Sequence, residues 1–210
     1  MIAFEQSLFS YGYRRICGID EAGRGPLAGP VVAAAVILPT DCRIPGLRDS
    51  KKLTARQRER FFEEITQKAV SFGIGIVESR TIDKINIYRA TLLAMRRSVD
   101  ALRARPDYLL IDAMPLPDID ICQESIIRGD DLSLSIAAAS VIAKVTRDRL
   151  MLRFHTCYPA YGFDRHKGYG TRDHLEKIRE YGPCRIHRKT FRGVIQKPAH
   201  LEKSSPPATL

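Results

Sequence analysis

The chain has 210 residues, of which 44% are hydrophobic and 28% charged, a composition typical of a folded domain and not of a disordered segment. Its longest apolar run, 31–38, is too short to span a membrane, and its first residues lack the basic start of a secretory signal. The net charge of +10 at pH 7 indicates a polyanionic partner.

Strands and helices are predicted in alternation along the chain. A first strand is predicted over 13–20, and a second, rich in alanine and β-branched residues, over 29–38. A helix follows over 54–69 with Thr54 as its N-cap, and then a glycine-bearing strand over 70–78. The remaining predicted elements are a helix over 81–104, two short strands over 108–112 and 125–128, and helices over 133–155 and 173–181.

This order of elements predicts an α/β fold. We expect a mixed five-stranded sheet flanked by helices, with a basic helical C-terminal extension. The small side chains at 136–140 predict a helix face that packs closely on its neighbour. We expect one domain over 1–195, with its basic helical part at about 150–195, followed by a mobile tail over 196–210 that lacks apolar periodicity.

The positive charge is concentrated towards the C-terminus. Between 141 and 197, fourteen Lys or Arg residues face five Asp or Glu residues, a net charge of +9. Nucleic acid is the simplest partner for such a stretch, and a solvated basic face that serves solubility is the competing interpretation.

Acidic residues stand where three of the predicted strands end. Asp20 and Glu21 close the first strand and precede a glycine-flanked arginine, and Asp112 closes a buried apolar strand. The pair 130–131 follows a short strand through a glycine. Each group also permits a plain interpretation, as the start of a loop or as a helix N-cap. Because ligands of α/β sheets bind at strand ends, the three groups together predict one carboxylate site.

A carboxylate cluster without the spacing of His and Cys ligands favours hard divalent ions, Mg²⁺ or Mn²⁺. Next to nucleic acid, such ions support phosphodiester hydrolysis, in which one ion activates water and a second stabilises the leaving oxygen. A DNA nuclease or integrase of similar fold would share the cluster. A non-catalytic nucleic-acid-binding module has no use for clustered acids that repel phosphate.

The stretch 20–31, DEAGRGPLAGPV, resembles the opening signature of type 2 ribonuclease H, specifically bacterial ribonuclease HII. The resemblance continues in order through DSKKL at 49–53, 111–112, 128–144 and 161–171, so it covers about 15–190. The sequence departs from the family pattern at two positions, where the family usually has glycine and lysine. These are Ala113 and Arg128.

The resemblance implies a ribonuclease H-like fold and an endonuclease that hydrolyses the RNA strand of RNA–DNA hybrids. It also implies incision at single ribonucleotides embedded in duplex DNA, leaving 3′-hydroxyl and 5′-phosphate ends, with two divalent ions per active site during turnover. We therefore expect RNA–DNA hybrid and ribonucleotide-containing duplex DNA as partners, no membrane partner, and a monomer. Five scattered cysteines without a Cys-x-x-Cys pair argue against disulfides and zinc and favour a reducing cytoplasm.

Position by position, the resemblance assigns catalytic and metal-binding roles to four acids. These are Asp20, Glu21, Asp112 and Asp130. Asp130 is preferred to Asp131 because the family acid directly follows the glycine.

The resemblance also implies residues that bind substrate. Gly23, Arg24 and Gly25 match the motif that senses the ribose 2′-hydroxyl, and Tyr169 matches its tyrosine partner, although Tyr169 also permits a plain packing role in a glycine-rich turn. The adjacent lysines Lys51 and Lys52 are interpreted as phosphate contacts, with a solvated pair as the alternative.

Three further polar residues are assigned no part in the site. Asp148 is interpreted as the partner of an ion pair within its helix. His166 and His187 could act as proton shuttles, but they are interpreted as phosphate contacts or solvated side chains of a basic surface.

Overall fold

The computed structural model describes residues 3–195, so the predicted tail at 196–210 lies outside the described residues. Within this range the chain forms five strands and seven helices, joined in places by single 3-10 turns at Ser50–Lys52 and Pro159–Tyr161. The strands are β1 (Ile16–Ala22), β2 (Val31–Ile37), β3 (Ser71–Val77), β4 (Tyr108–Asp112) and β5 (Cys122–Ile126). The helices are α1 (Ala3–Ser10), α2 (Ala55–Lys68), α3 (Ser79–Asp100), α4 (Gly129–Leu132), α5 (Leu134–Cys157), α6 (Phe163–His166) and α7 (Arg172–Tyr181).

All five strands belong to one mixed sheet in the order β3-β2-β1-β4-β5. The strands β1, β4 and β5 run parallel, whereas β2 and β3 pair antiparallel. Ile19 is level with Ile111 on the neighbouring strand, so Asp20 and Asp112 each stand one residue further towards the same edge. The predicted mixed five-stranded sheet is confirmed, and its parallel half gathers the strand-end acids at one edge.

Apolar layers cover both faces of the sheet. On β2, Ala34 and Val36 pack towards α2 and α5, while Ala33 and Ala35 pack towards α3. This alternation follows from the two-residue period of a strand, and both faces are buried because both carry helices. The alanine-rich start of α5, over 137–139, is fully buried and packs against β1, as the small side chains predicted.

Several boundaries differ from the prediction for local physical reasons. The strand predicted over 125–128 lies at Cys122–Ile126, because this edge strand is mostly exposed and carries little apolar signal. The helix α3 has a non-helical residue, Asn86, with φ 66°. In contrast, α2 begins where predicted, with Thr54 as its N-cap in a reciprocal capping box with Gln57.

The N-terminal helix α1 is not indicated by the sequence pattern, and a buried carboxylate holds it in place. Glu5 Oε1 accepts hydrogen bonds from Ser133 Oγ at 2.6 Å, Ser135 Oγ at 2.8 Å and Ser135 N at 3.0 Å. These contacts fasten α1 to the start of α5, where a negative charge is favoured by the helix dipole.

The C-terminal extension folds back onto the loop that joins β1 to β2. Ala28 forms an isolated antiparallel bridge with His187, and Gly29 N donates to Ile186 O at 2.9 Å. On the other side of this loop, Leu27 N donates to Gly168 O at 2.8 Å. The loop is thus held between two segments of the extension. Among residues 3–195 no helix has both the length and the apolar run that a membrane crossing requires.

Candidate active site

The four predicted acids come from three elements that meet at one edge of the sheet. Asp20 lies in β1 and is only 4% exposed, and its Oδ1 accepts the backbone amide of Glu21 at 2.6 Å. Asp112 ends β4, and its Oδ1 accepts the backbone amide of Gly129 at 2.8 Å. This hydrogen bond connects the end of β4 to α4, which carries the buried Asp130.

These acids repel one another electrostatically, and burial together with this repulsion raises the pKa of Asp20, Glu21 and Asp130. Burial is the largest cause that raises the pKa of Asp20 well above its usual range, and repulsion from Glu21 and Asp112 adds to it. Burial also raises the pKa of Glu21, although Arg24 opposes the shift, and repulsion from Asp112 adds to the rise. Burial, followed by the charge of Asp49, raises the pKa of Asp130 to about 6, and Asp112 contributes further. Asp112 therefore links the acids of β1 to the acid of α4.

A fifth acid and a lysine complete this group. Asp49 is buried, and its Oδ1 accepts the backbone amide of Lys51 at 2.9 Å. The Lys51 ammonium lies 3.6 Å from Asp130 Oδ2 and 4.0 Å from Asp49 Oδ1. Burial alone would lower the pKa of Lys51, but the surrounding carboxylates raise it above its usual value. In the sequence Asp49 is the first residue of the DSKKL motif, but no site role is predicted for it there.

The donor set fits hard divalent cations. Glu21 Oε2 is buried without a hydrogen-bond partner, an arrangement that is costly unless something with positive charge approaches it. The remaining donors are carboxylate oxygens, the ligands that Mg²⁺ and Mn²⁺ prefer. Within residues 3–195 no three His, Cys, Asp or Glu side chains stand in a ready-made coordination arrangement.

The glycine turn after β1 lies next to the predicted tyrosine. Gly23 has φ 99°, and a Cβ there would stand 2.1 Å from Arg147 Nε, so only glycine fits. At Gly25, in contrast, the one described atom within 4 Å of a Cβ would be Tyr169 Cε1, at 3.9 Å. The side chain of Arg24 is 43% exposed and lies 3.4 Å from Glu21 Oε1. The structure thus brings the turn, the tyrosine and one of the acids together.

The two departures from the family pattern share a backbone conformation. Ala113 has φ 61° and Arg128 has φ 59°, both in the left-handed region. Glycine adopts this region readily and alanine does not, which is the physical reason for glycine at position 113 in the family. Ala113 N nevertheless donates to Ile126 O at 3.1 Å, so the backbone beside Asp112 keeps its connection to β5.

Comparison with known proteins identifies the group to which this sequence belongs. The sequence pattern that defines ribonuclease HII matches residues 17–194. The chain belongs to the ribonuclease HII family. It is 57% identical to the ribonuclease HII of Bacillus velezensis, over 92% of this chain and 76% of that one. It is 53% identical to that of Syntrophus aciditrophicus, over 95% and 94%.

The fold comparison agrees with the sequence comparison. The crystal structure of ribonuclease H2 from Pyrococcus horikoshii OT3 superposes with a TM-score of 0.74 at 26% identity, covering 86% of this chain and 95% of that one. The predicted resemblance and the ribonuclease H-like fold are confirmed. As a member of the ribonuclease HII family, this chain is a hydrolase, an endonuclease that acts on the RNA of RNA–DNA hybrids. The family depends on divalent metal ions.

The two predicted phosphate-binding lysines have different surroundings in this family member. The Lys51 side chain is 78% exposed beside the acids. The Lys52 ammonium is instead paired with Asp131, at 2.6 Å from Oδ1 and 2.7 Å from Oδ2. This pairing lowers the pKa of Asp131, whereas the pKa of the neighbouring Asp130 is raised.

Further along the chain, Lys144 Nζ donates to Asp148 Oδ1 at 2.8 Å, which confirms the predicted ion pair within α5.

The interpretation of His187 as a surface side chain is wrong. His187 is 1% exposed and His174 is fully buried, and their Nε2 atoms lie 3.0 Å apart. His174 Nδ1 lies 2.9 Å from the Tyr169 carbonyl, which only accepts, so this nitrogen donates. His187 Nε2 must then donate to His174 Nε2, while His187 Nδ1 accepts the Cys184 amide at 2.9 Å. His166, half-buried, stacks on His174 with ring centroids 4.3 Å apart.

These hydrogen bonds form a chain of neutral histidines that holds the backbone carbonyl of Tyr169 in place. Because each nitrogen of His174 and His187 already has an assigned role, protonation of either ring would break a hydrogen bond. Their places at the centre of the extension depend on distant chain segments, so no local pattern reveals them. A histidine in a basic segment gives the same sequence signal whether it is buried or exposed.

We expect these two histidines to contribute a loss of stability in mild acid. Burial lowers the pKa of His174 and of His187 to about 4, whereas an unfolded chain keeps a histidine pKa of about 6.5. Between these values the unfolded state binds more protons, so the free energy of unfolding decreases as the pH falls from about 6.5 to about 4. Melting temperatures of the wild type and of His187→Gln, measured from pH 7.5 to 4.5, test this. The variant should have a lower melting temperature at pH 7.5 and a shallower pH dependence, and equal slopes would contradict the expectation.

Proposed function

We propose that this endonuclease also incises duplex DNA at single embedded ribonucleotides and hydrolyses the phosphodiester with two divalent ions. The observation that carries the proposal is the contact between the acids at the end of β1 and the glycine turn that follows them, whose Arg24 guanidinium lies 3.4 Å from Glu21 Oε1. A ribose seated at the turn has its neighbouring phosphate within reach of the acids, because both features lie within 20–25. This arrangement supports cleavage that depends on a particular sugar.

The proposed metal ligands are the four acids at the sheet edge: Asp20, Glu21, Asp112 and Asp130. When bound there, divalent ions supply an activated water and stabilise the leaving 3′-oxygen, which accounts for 3′-hydroxyl and 5′-phosphate products. The Gly129 amide fixes the orientation of the Asp112 carboxylate by donating to its Oδ1. The free oxygen of Glu21 remains available as a ligand because Arg24 contacts only the other oxygen.

The proposed ribonucleotide sensor consists of the turn Gly23–Arg24–Gly25 and Tyr169. Beside Gly25 the structure leaves open space, since an added Cβ would come within 4 Å of Tyr169 alone among the described neighbours. Because glycine has no Cβ, a sugar can approach the backbone there closely. A backbone amide donates to a 2′-hydroxyl and a carbonyl accepts from it. A site built to bond a hydroxyl rejects a deoxyribose strongly, since its own polar groups are then left unpaired.

The proposed phosphate contacts are Lys51 and Lys52. Lys51 is exposed next to the acids and stands closest to a phosphate bound among them. Lys52 is half-exposed and can exchange Asp131 for a phosphate of the substrate, since such an ion pair has a small net energetic value. The net positive charge of the basic extension favours binding of the nucleic-acid backbone in general. The monomeric state and the cytoplasmic location stay predictions.

A DNA nuclease or integrase of similar fold is the second candidate function. It would share the carboxylate cluster but has no need of a turn that admits a ribose or of a tyrosine beside it. The space at Gly25, where an added Cβ would stand 3.9 Å from Tyr169 Cε1, therefore favours the ribonucleotide-directed enzyme. A non-catalytic binding module is disfavoured by the buried acids, whose charges would repel a bound phosphate.

We expect the wild-type protein in Mg²⁺ to cut a DNA duplex at a single embedded ribonucleotide and to leave its all-DNA twin intact. Labelled duplexes that differ in one 2′-hydroxyl, followed on denaturing gels, measure this directly. Extension of the upstream fragment by a polymerase tests for the 3′-hydroxyl end. Equal cleavage of both duplexes would favour the DNA nuclease, whereas cleavage of a continuous hybrid alone would restrict the enzyme to its established class of substrate.

A further inference from the structure

Two buried arginines surround the loop that contains the glycine turn. Arg188, in the C-terminal extension, is fully buried, and Arg147, on α5, is 1% exposed. No carboxylate lies within ion-pairing distance of either guanidinium in the described part of the chain. Both instead donate to backbone carbonyls of the loop and its neighbour. Two buried like charges without acidic partners are costly, so a core that only had to be filled would use apolar side chains.

Each of the two arginines donates hydrogen bonds to a different set of backbone carbonyls. Arg147 donates to Pro30 O at 3.0 Å, Ala28 O at 3.1 Å and Lys167 O at 3.1 Å. These contacts fix the frame of the loop. Arg188 holds the glycine turn itself, donating to Gly23 O at 2.6 Å, Arg24 O at 2.9 Å and Gly29 O at 3.0 Å.

The contacts of Arg188 decide which way the amides of the turn point. In a trans peptide the C=O and the N–H of one unit point in opposite directions, and none of the described peptide bonds is cis. The Gly23 carbonyl is directed inward to Arg188, so the Arg24 amide is directed outward. The Arg24 carbonyl is likewise directed inward, so the Gly25 amide is directed outward. Neither amide has a hydrogen-bond acceptor within residues 3–195.

We propose that Arg188 is a positioning residue for ribonucleotide recognition, which holds the carbonyls of Gly23 and Arg24 so that the Arg24 and Gly25 amides face the sugar. The inference rests on the proposed function, since it requires the turn to contact the ribose. Arg188 does not touch the substrate. Its planar fork reaches two consecutive carbonyls at once, a geometry that a lysine ammonium does not reproduce.

Arg188→Lys tests this role because it keeps the charge and removes the fork. Binding is measured in Mg²⁺ for the single-ribonucleotide duplex and for its all-DNA twin, with proteins that also carry Asp130→Asn to stop turnover. The reference protein is expected to bind the ribonucleotide duplex at least tenfold more tightly than the twin. In Arg188→Lys this preference should fall at least fivefold towards one, while affinity for the all-DNA twin changes less than twofold.

A matched control separates positioning from general destabilisation. Met95 lies on α3 and is fully buried in the core between this helix and the sheet, so Met95→Ala lowers the melting temperature without touching the turn. This variant should keep the reference preference for the ribonucleotide duplex. If Arg188→Lys loses affinity for both duplexes by the same factor, Arg188 is only structural and the inference is overturned.

Two further outcomes are informative. If Arg188→Lys does not fold, Arg188→Ala with millimolar guanidinium ion refills the same space, and return of the preference supports the inference, whereas a folded protein without it overturns the inference. A reference protein that binds both duplexes equally removes the role of the turn and of Arg188 together. The proposed function is judged separately by where the wild type cuts, so the two failures remain distinguishable.

Discussion

Replacing Asp112 by asparagine is expected to lower turnover by about a hundred- to a thousandfold while the protein stays folded. The change keeps the volume of the side chain and one oxygen, which still accepts the Gly129 amide, but removes the charge of a proposed metal ligand in the acid cluster. A metal ion contributes several kcal/mol to stabilising the transition state, and each 1.4 kcal/mol corresponds to about a tenfold change in rate. Initial rates on an RNA–DNA hybrid, with a melting curve for each variant, measure both effects.

Neighbouring acids of α4 provide the sharpest control for the assignment. Asp130→Asn removes a buried carboxylate beside Asp112 and should lose as much activity as Asp112→Asn. Asp131→Asn removes the ion-pair partner of Lys52 and Arg128 and should lower the rate less than tenfold. If Asp131→Asn were the more damaging of the two, the ligand assignment in α4 would have to move by one residue.

Removing a charge from the acid cluster is expected to lower activity but to raise thermal stability. Burial and the charges of Glu21 and Asp112 raise the pKa of Asp20, so its ionised form destabilises the folded protein at neutral pH. Asp20→Asn should therefore raise the melting temperature when EDTA removes divalent ions. Such a rise, combined with loss of activity, would distinguish a functional carboxylate from one that supports the fold.

The sequence predicted those features that depend on local periodicity or on strand ends. Asp20 and Asp112 could be placed at one edge because each follows an apolar strand, and parallel strands end together. The start of α2 could be placed because Thr54 and Gln57 form a capping box within four residues. These signals are contained in a few consecutive residues, which is why they survive without knowledge of the tertiary structure.

The parts that could not be predicted depend on contacts between distant segments. Arg188 donates to carbonyls more than 160 positions earlier in the sequence. In the sequence alone it is indistinguishable from the other cations of the basic stretch. His187 reads as a surface side chain for the same reason, although it is buried against His174. Asp49 joins the acids only because its loop returns to α4. The basic stretch is thus partly an internal support for the site, and its net charge overstates how many cations are free to meet nucleic acid.

Tyr169 is expected to determine how strongly the enzyme prefers a single ribonucleotide in DNA over a continuous RNA–DNA hybrid. Its side chain is 47% exposed and lies beside Gly25, so a role confined to packing within the glycine-rich turn does not account for it. Its ring is available to pack on a sugar, and its hydroxyl is available to orient the 2′-oxygen. The backbone of Tyr169 is held separately, through its carbonyl, by His174. Changes to the side chain should therefore leave the loop in place.

Two variants of Tyr169 test the contributions of its ring and of its hydroxyl separately. Tyr169→Phe keeps the ring and should lose part of the preference, whereas Tyr169→Ala should lose most of it, with both variants still folded and still stabilised by Mg²⁺. The measurement is the ratio of kcat/KM for the single-ribonucleotide duplex to that for a continuous hybrid. Tyr181→Ala is the matched control, because this tyrosine of α7 is 54% exposed and contacts Lys177 instead of the turn. An unchanged ratio in Tyr169→Ala would contradict this role of the side chain and place ribonucleotide sensing elsewhere.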